Sequence, residues 1–324
     1  MPINRRTALG LGCACLALQG AVARAADWPN RNIRIVVPFA AGGPVDQLAR
    51  VMALKLQPLL GQPVVVENRG GAATIIGWEA VAKSPADGYI LLMAGISGRS
   101  ILPSVATINY DPAKDLVAVT RVANSPNIFV VPAGKGPQNL KDWVAYAKTR
   151  PGRLNMGLAA PGTLTQFAGT LLQRNAGISL TEIPYKGGAP TVNALLAGEV
   201  DCMIADLGAV LPQIQSGKLT ALATADRRRS PFLPQVPTLG ELGLPDIDGV
   251  NVFGLYAPAR TPAEVVDRIA KASAEILKQQ EVRDIFAKQG MTAESSTPDE
   301  FEALNRSHTE RWAPIARASG VRIN

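Results

Sequence analysis

The chain has 324 residues, 47% of them hydrophobic and 5% aromatic, with a formal net charge of +7 and three cysteines. That length exceeds the usual size of a single core, so two domains held by buried apolar area are expected. So few cysteines and a single histidine argue against a disulfide framework and against the usual zinc sites.

Arg5 and Arg6 precede an uncharged, mostly apolar run from Thr7 to Val22, and Ala23-Arg24-Ala25 stands before Ala26-Asp27. This order predicts a secretory signal over residues 1–26, cleaved near Ala25/Ala26, and a periplasmic destination. The arginine pair leaves the twin-arginine and general routes both open. Cys13 and Cys15 sit early in the run and in a poor lipobox, and the run is shorter than a membrane span. Loss of Arg5, Arg6 and Arg24 takes Lys plus Arg from 33 to 30 against 26 acids, so the mature charge is +4. A mildly basic exported protein suits an anionic small solute and argues against nucleic acid as a partner. Only Cys202 survives maturation, which leaves no internal disulfide.

Along the mature chain, short β-rich runs alternate with helical stretches, the pattern of an α/β protein with largely parallel sheets. Asn32 to Pro38 reads as a buried strand and Asp46 to Leu60 as a helix stopped by Gly61-Gln62-Pro63. Val64 to Asn68, Ile75 to Lys83 and Tyr89 to Met93 then continue a βαβαβ unit as strand, helix and strand. In the middle third, Asn127 to Pro132, Leu154 to Ala159, Leu180 to Tyr185, Val200 to Asp206 and Leu219 to Thr224 read as strands. Between them lie helices at Leu140 to Thr149, Thr163 to Arg174 and Pro190 to Ala197. The last third reads as helical, with one helix from Pro262 to Gln280 and another opened by a capping box at Thr297-Pro298-Asp299-Glu300.

Two strand-to-helix turns carry the chemistry. Pro38 to Asp46 ("PFAAGGPVD") and Ala159 to Gln166 ("AAPGTLTQ") both bring glycine to the start of a helix. A helix start presents unpaired N–H groups and partial positive charge, and glycine lets an anion reach them. The second turn adds the hydroxyls of Thr163 and Thr165. One such turn alone is an ordinary packing device. One in each expected domain can clamp a molecule with an anionic group at each end.

Other residues read more plainly. His308 shares a helical stripe with Phe301, Leu304, Trp312 and Ile315, a packed boundary position, and nothing in the sequence sets a serine beside it. No GxSxG elbow or HExxH occurs. Arg227-Arg228-Arg229 suits a solvated turn, Lys186 braces a turn or faces the cleft, and Cys202 is inert packing.

Ten segments carry a resemblance that spans nearly the whole mature chain. They include "WPNRNIRIVVPFAAGGPVDQLAR", "GQPVVVENRGGAA", "PADGYILL", "PGRLNMGLAAPGT", "PYKGGAP", "LLAGEVDCMI" and "LPQVPTLGELGLP", in that order. The chain resembles the periplasmic solute receptors of the tripartite tricarboxylate transporter family, the Bug-type binding proteins. That resemblance implies a type II periplasmic-binding-protein fold, two α/β lobes around a ligand cleft joined by crossing strands. The expected division is lobe 1 at residues 27–124 and 251–324 and lobe 2 at 125–250.

The resemblance also implies a small organic carboxylate as ligand, a tripartite tricarboxylate-type membrane permease as partner, no cofactor and a monomer. Its first carboxylate grip falls on Phe39, Ala40, Ala41, Gly42, Gly43 and Asp46, partly through water. Its second falls on Gly162, Thr163 and Thr165, with Ser97 and Asp206 facing the cleft. Gln166 stands where the family often has His, Ala159-Ala160 replace a common Ser pair, and Arg99 takes another position often held by His. Gln166 and Arg99 are counted with the site; facing the cleft, Arg99 would be a fixed cation that favours an anion, and pointing to solvent is its alternative. The expected function is capture of a dicarboxylate by hinged closure and its delivery to the permease. A sensing subunit, or an enzyme using Asp46 or Asp206 as base, are the alternatives.

Overall fold

β1 (Ile33–Val37) buries Ile33, Ile35, Val36 and Val37, the pattern of a strand covered on both faces. The computed structural model describes residues 28–323 apart from 245, 246 and 248, so the expected signal segment and its cleavage site lie outside the described residues. α1 (Pro44–Leu60) buries Leu48, Met52, Leu56 and Leu60 along one stripe, and Gly61 ends it in a left-handed conformation, φ +73°. β2 (Val64–Asn68), α2 (Ile75–Ala82) and β3 (Ile90–Gly95) complete the βαβαβ unit. β1 lies between β2 and β3 and pairs in parallel with both.

The short α3 (Ser97–Ser100) and the long β4 (Leu116–Ser125) lead into β5 (Asn127–Pro132). Then come α4 (Leu140–Lys148), β6 (Asn155–Leu158), α5 (Leu164–Ala176) and β7 (Thr181–Pro184). α6 (Gly188–Ala197), β8 (Cys202–Asp206), α7 (Leu207–Gln215) and β9 (Leu219–Thr224) follow. β10 (Asn251–Pro258), α8 (Ala263–Lys278), α9 (Gln280–Lys288), β11 (Thr292–Ala293) and α10 (Pro298–Ala318) complete the order.

These strands form two sheets, ordered β11-β4-β10-β3-β1-β2 and β7-β6-β8-β5-β9. The chain passes between them at Ser125-Pro126-Asn127 and again on entering β10 at Asn251. The sheets are mixed rather than largely parallel. β10 runs antiparallel to β3 and β4, and β5 runs antiparallel to β8 and β9. A strand that brings the chain across from the other lobe enters against the direction of the local βαβ strands, which accounts for the difference.

The last third is not purely helical, since β10 is an eight-residue strand buried throughout. The expected helix from Pro262 to Gln280 ends at Lys278, and Gln279, extended at ψ 130°, starts a separate helix. The capping box forms as read: Glu300 N–H donates to Thr297 Oγ1 at 3.2 Å and Thr297 N–H donates to Glu300 Oε2 at 2.8 Å. Farther along α10, Trp312 and Ala316 join Ile101 and Val105 in the core that holds Phe129, Leu140 and Phe167. The C-terminal helix therefore packs on both lobes.

Candidate functional site

The first turn runs from the end of β1 to Pro44. Gly42 adopts φ +85° and Gly43 flanks α1 with no side chain capping the helix. The Gly42 N–H is not free, because it donates to Asp46 Oδ2 at 2.9 Å. Arg50 Nε donates to the same oxygen at 2.9 Å and Asn68 Nδ2 to Oδ1 at 3.0 Å. Burial alone raises the Asp46 carboxyl, but the bonds from Arg50, Gly42 and Asn68 outweigh it and hold the group below the usual carboxylate range. Asp46 thus shapes the turn from beneath.

The second turn, after β6, repeats this design. Gly162 has φ +75°, and its N–H donates at 2.8 Å to Gln166 Oε1, four residues on. Gln166 Nε2 in turn donates to Glu182 Oε2 at 2.7 Å. Burial pushes the Glu182 carboxyl up, against the bonds from Gln166 and Gln173. Thr163 Oγ1 donates to the Ala160 carbonyl at 2.8 Å and lies 3.0 Å from Thr165 Oγ1. With the Thr163 hydrogen so used, Thr165 is the donor of that pair.

A third turn faces these two. Gly187, φ +133°, precedes α6, and a Cβ built on it lies 3.9 Å from the Ala40 Cβ of the first turn. One built on Gly188 lies 3.7 Å from Pro44 Cδ. The starts of α1, α5 and α6 thus converge on one cleft, with about 830 Å³ of empty space, its open mouth included.

Nine of the thirteen residues expected at the site line this cleft: Phe39, Ala40, Ala41, Gly43, Ser97, Gly162, Thr163, Thr165 and Asp206. Gly42, Asp46 and Gln166 do not. They hold the two glycine turns in shape. Arg99 is a correction of another kind. α3 turns about 100° per residue, so Ser97 faces the cleft while Arg99, two residues on, faces the opposite way. There its Nη1 lies 2.7 Å from Glu302 Oε2 on α10, and its Nη2 donates to Glu302 Oε1 at 2.9 Å. Arg99→Ala is therefore expected to leave ligand affinity within about twofold while costing about 1–2 kcal/mol of stability, read by calorimetry and thermal melting. A large loss of affinity would return Arg99 to the grip.

Sequence reasoning missed Trp78, Gly187, Gly188, Asn251 and Phe253, all of which line the cleft. Among the described lining residues Asp206 is the one that ionises, so an anion here meets helix starts rather than a lysine or arginine. Burial pushes the Asp206 carboxyl up to about 6, against a favourable bond from Asn251.

Away from the cleft, Ser100 Oγ lies 2.7 Å from His308 Nδ1, a pairing the sequence did not reveal. It makes no triad. Among the described residues the buried His308 Nε2 has no partner, and burial and Arg311 lower the ring to about 4, which keeps it neutral at physiological pH. Among the described residues no group of three or more His, Cys, Asp or Glu is placed to hold a metal ion. No described helix is long and apolar enough to cross a membrane.

Two α/β lobes, crossing strands and a cleft edged by helix starts define the type II periplasmic-binding-protein fold. The chain belongs to the tripartite tricarboxylate transporter receptor family, whose model, "Tripartite tricarboxylate transporter family receptor", matches residues 48–321. It is 38% identical to Protein BugT of Bordetella pertussis (strain Tohama I) over 301 residues, 91% of each chain. The solved structure of the periplasmic binding protein BugD matches with a TM-score of 0.86 and 32% identity, covering 91% of this chain and 99% of BugD. R. palustris Rpa4515 with adipate matches with a TM-score of 0.87 and 32% identity, covering 91% of this chain and 99% of that one. The family is one of transporter receptors, BugD is a periplasmic binding protein, and Rpa4515 is seen with adipate, a carboxylate.

Proposed function

We propose that this chain is an exported receptor that captures a dicarboxylate and delivers it, unchanged, to a tripartite tricarboxylate-type permease. The observation that carries the reading is the pair of like-built glycine turns, one in each lobe, opening on a shared cleft. Each carboxylate would take backbone N–H groups at a helix start, with Ser97 on one side and Thr163 and Thr165 on the other. Because the two starts belong to different lobes, a ligand bridging them binds the closed arrangement more tightly than the open one, which is what drives closure. Adipate in Rpa4515, a two-ended acid on a matching fold, supports the same class.

The test is a thermal-shift screen of residues 26–324 against mono-, di- and tricarboxylates. A ligand that binds only the folded state stabilises it by mass action, by roughly 2.7 kcal/mol at a hundredfold excess over Kd, and so raises the melting midpoint. The expected result is a dicarboxylate that stabilises while its monoester does not. Equal shifts from acid and monoester would remove the two-ended clamp. Turnover of the bound acid, followed by mass spectrometry, would make the protein an enzyme.

A further inference from the structure

The backbone is most strained beside the first glycine turn. Ala72, Ala73 and Thr74 take φ of +43°, +53° and +79° in succession, and none of them is glycine. A side chain in the left-handed region crowds its own backbone, most of all a β-branched one such as threonine. Two close approaches to the first turn hold the chain on this path. The Arg69 N–H donates to the Val37 carbonyl at 2.8 Å, and a Cβ built on Gly70 lies 3.4 Å from Ala40 N. Beyond the strained run, a Cβ built on Gly77 would meet Pro38 Cβ at 2.6 Å, so α2 sits directly against the end of β1.

Thr74 stands where two spaces meet. It lines the cleft, and with Gly70 to Ala73 it lines an outer cavity of about 840 Å³, open mouth included, whose far side holds Tyr185 and Lys186 of lobe 2. Of the three strained residues it alone reaches the cleft, and it alone is buried, at 7% exposed. A threonine just before a helix commonly sits extended and accepts an N–H of that helix. Thr74 does neither: its ψ is −11°, and its hydroxyl bonds to no described protein group.

We infer that Thr74 is a ligand-contacting residue whose hydroxyl donates to the carboxylate held at the first glycine turn, and that the strain at residues 72–74 is what places it there. This rests on the dicarboxylate reading above. The second turn carries hydroxyls of its own, Thr163 and Thr165, whereas Phe39 to Pro44 carry none. The Gly42 N–H is already spent on Asp46. A carboxylate has room for about four hydrogen bonds, so a turn with few free N–H groups gains from a further donor. Glycine at position 74 would relieve the backbone and remove that donor. The chain carries the donor and the strain together, a pairing expected where strain serves a site.

The experiment is titration calorimetry of residues 26–324 with succinate, glutarate and adipate, beside melting curves of each ligand-free protein. Thr74→Val keeps the branch and the strain and removes the hydroxyl. It is expected to bind the best of the three diacids about tenfold or more weakly, with little change in melting midpoint. Thr74→Ser keeps the donor and should bind within about threefold of the parent. Thr74→Gly should melt a few degrees higher, because its backbone is relieved, yet bind as weakly as Thr74→Val. A residue that only shapes the loop would not move stability and affinity in opposite directions. Ala72→Gly, at an exposed position outside the cleft, relieves strain alone and should melt higher with its affinity kept. Thr74→Val that binds as tightly as the parent would overturn the contact and leave the dicarboxylate reading standing. So would equal weakening in Thr74→Val and Thr74→Ser. Ala72→Gly that melts no higher would remove the strain from the argument and overturn the second half of the inference. If none of the three diacids binds the unaltered protein, the dicarboxylate reading fails and the Thr74 contact with it.

Discussion

Asp46→Ala is expected to destabilise the fold by about 3 kcal/mol and to weaken ligand binding by about a hundredfold. Asp46 is 3% exposed and accepts from three groups: the Gly42 N–H, Arg50 Nε and Asn68 Nδ2. Hydrogen bonds to a charged acceptor are worth roughly 1.5–3 kcal/mol each, and the half-exposed Arg50 contributes least because water replaces its partner. Alanine leaves the Gly42 N–H without its acceptor where the chain turns into α1, and takes one of two from the Asn68 amide, which keeps the Phe39 carbonyl at 3.2 Å. The binding loss follows because Gly43 and Ala41, which line the cleft, are positioned by that turn. Asp46→Asn keeps the shape but presents an amide to one of the donors, so an intermediate loss is expected.

The same residue sets an acid limit. Its folded carboxyl lies below the unfolded value, so its contribution is fully present above about pH 4 and is lost as the pH falls through the folded value. Urea melts at neutral pH and at pH 3, with ligand titrations on the folded variants, measure both effects. A lowered melting point with unchanged affinity would separate the first turn from the grip.

The two glycine turns were legible in the sequence because their cause is local. An apolar strand, a glycine that must take positive φ, and a helical stripe are all visible within ten residues at Val37–Asp46 and at Leu158–Gln166. What those turns do with their own N–H groups was not legible. Asp46 and Gln166 read as ligand contacts, yet each bonds back to the glycine four residues earlier. Arg99 misled because charge alone says nothing of which side of a one-turn helix a residue takes. Its partner Glu302 lies some 200 residues away in the chain.

Two of the missed residues share one origin. Asn251 and Phe253 belong to β10, which is buried on both faces and so shows no alternation of polar and apolar residues. Set before two long amphipathic helices, it was absorbed into a helical reading of the last third. With it went the Asn251–Asp206 contact, which only the crossing of the chain between the lobes brings about. Local patterns reveal the glycine turn of each lobe; the floor of the cleft depends on pairings between segments far apart in sequence.

That floor carries the second large effect, a gain of stability on removing a functional group. Asp206→Asn is expected to stabilise the ligand-free protein by on the order of 1–3 kcal/mol near neutral pH, which raises its melting midpoint by several degrees. Burial lifts the folded carboxyl from its ordinary value near 4 to about 6, so the folded chain holds this proton more tightly than the unfolded chain does. The sign follows from linkage. The favourable term is complete below the unfolded value, declines as the pH rises toward 6, and is gone above it. Two units at about 1.4 kcal/mol each set the upper end, and water entering through the cleft lowers it. The amide keeps the volume and carries no charge to desolvate. A protein holding an ionised carboxylate here at neutral pH is less stable than it need be, as expected where a site is built for a ligand rather than for the fold. Melting curves of the two proteins between pH 4 and 8 decide the matter: they should converge toward pH 4 and separate above pH 6. A variant that melts lower than the parent at pH 7.5 would show that the charge is compensated within the protein, and the argument for a cost at Asp206 would fall.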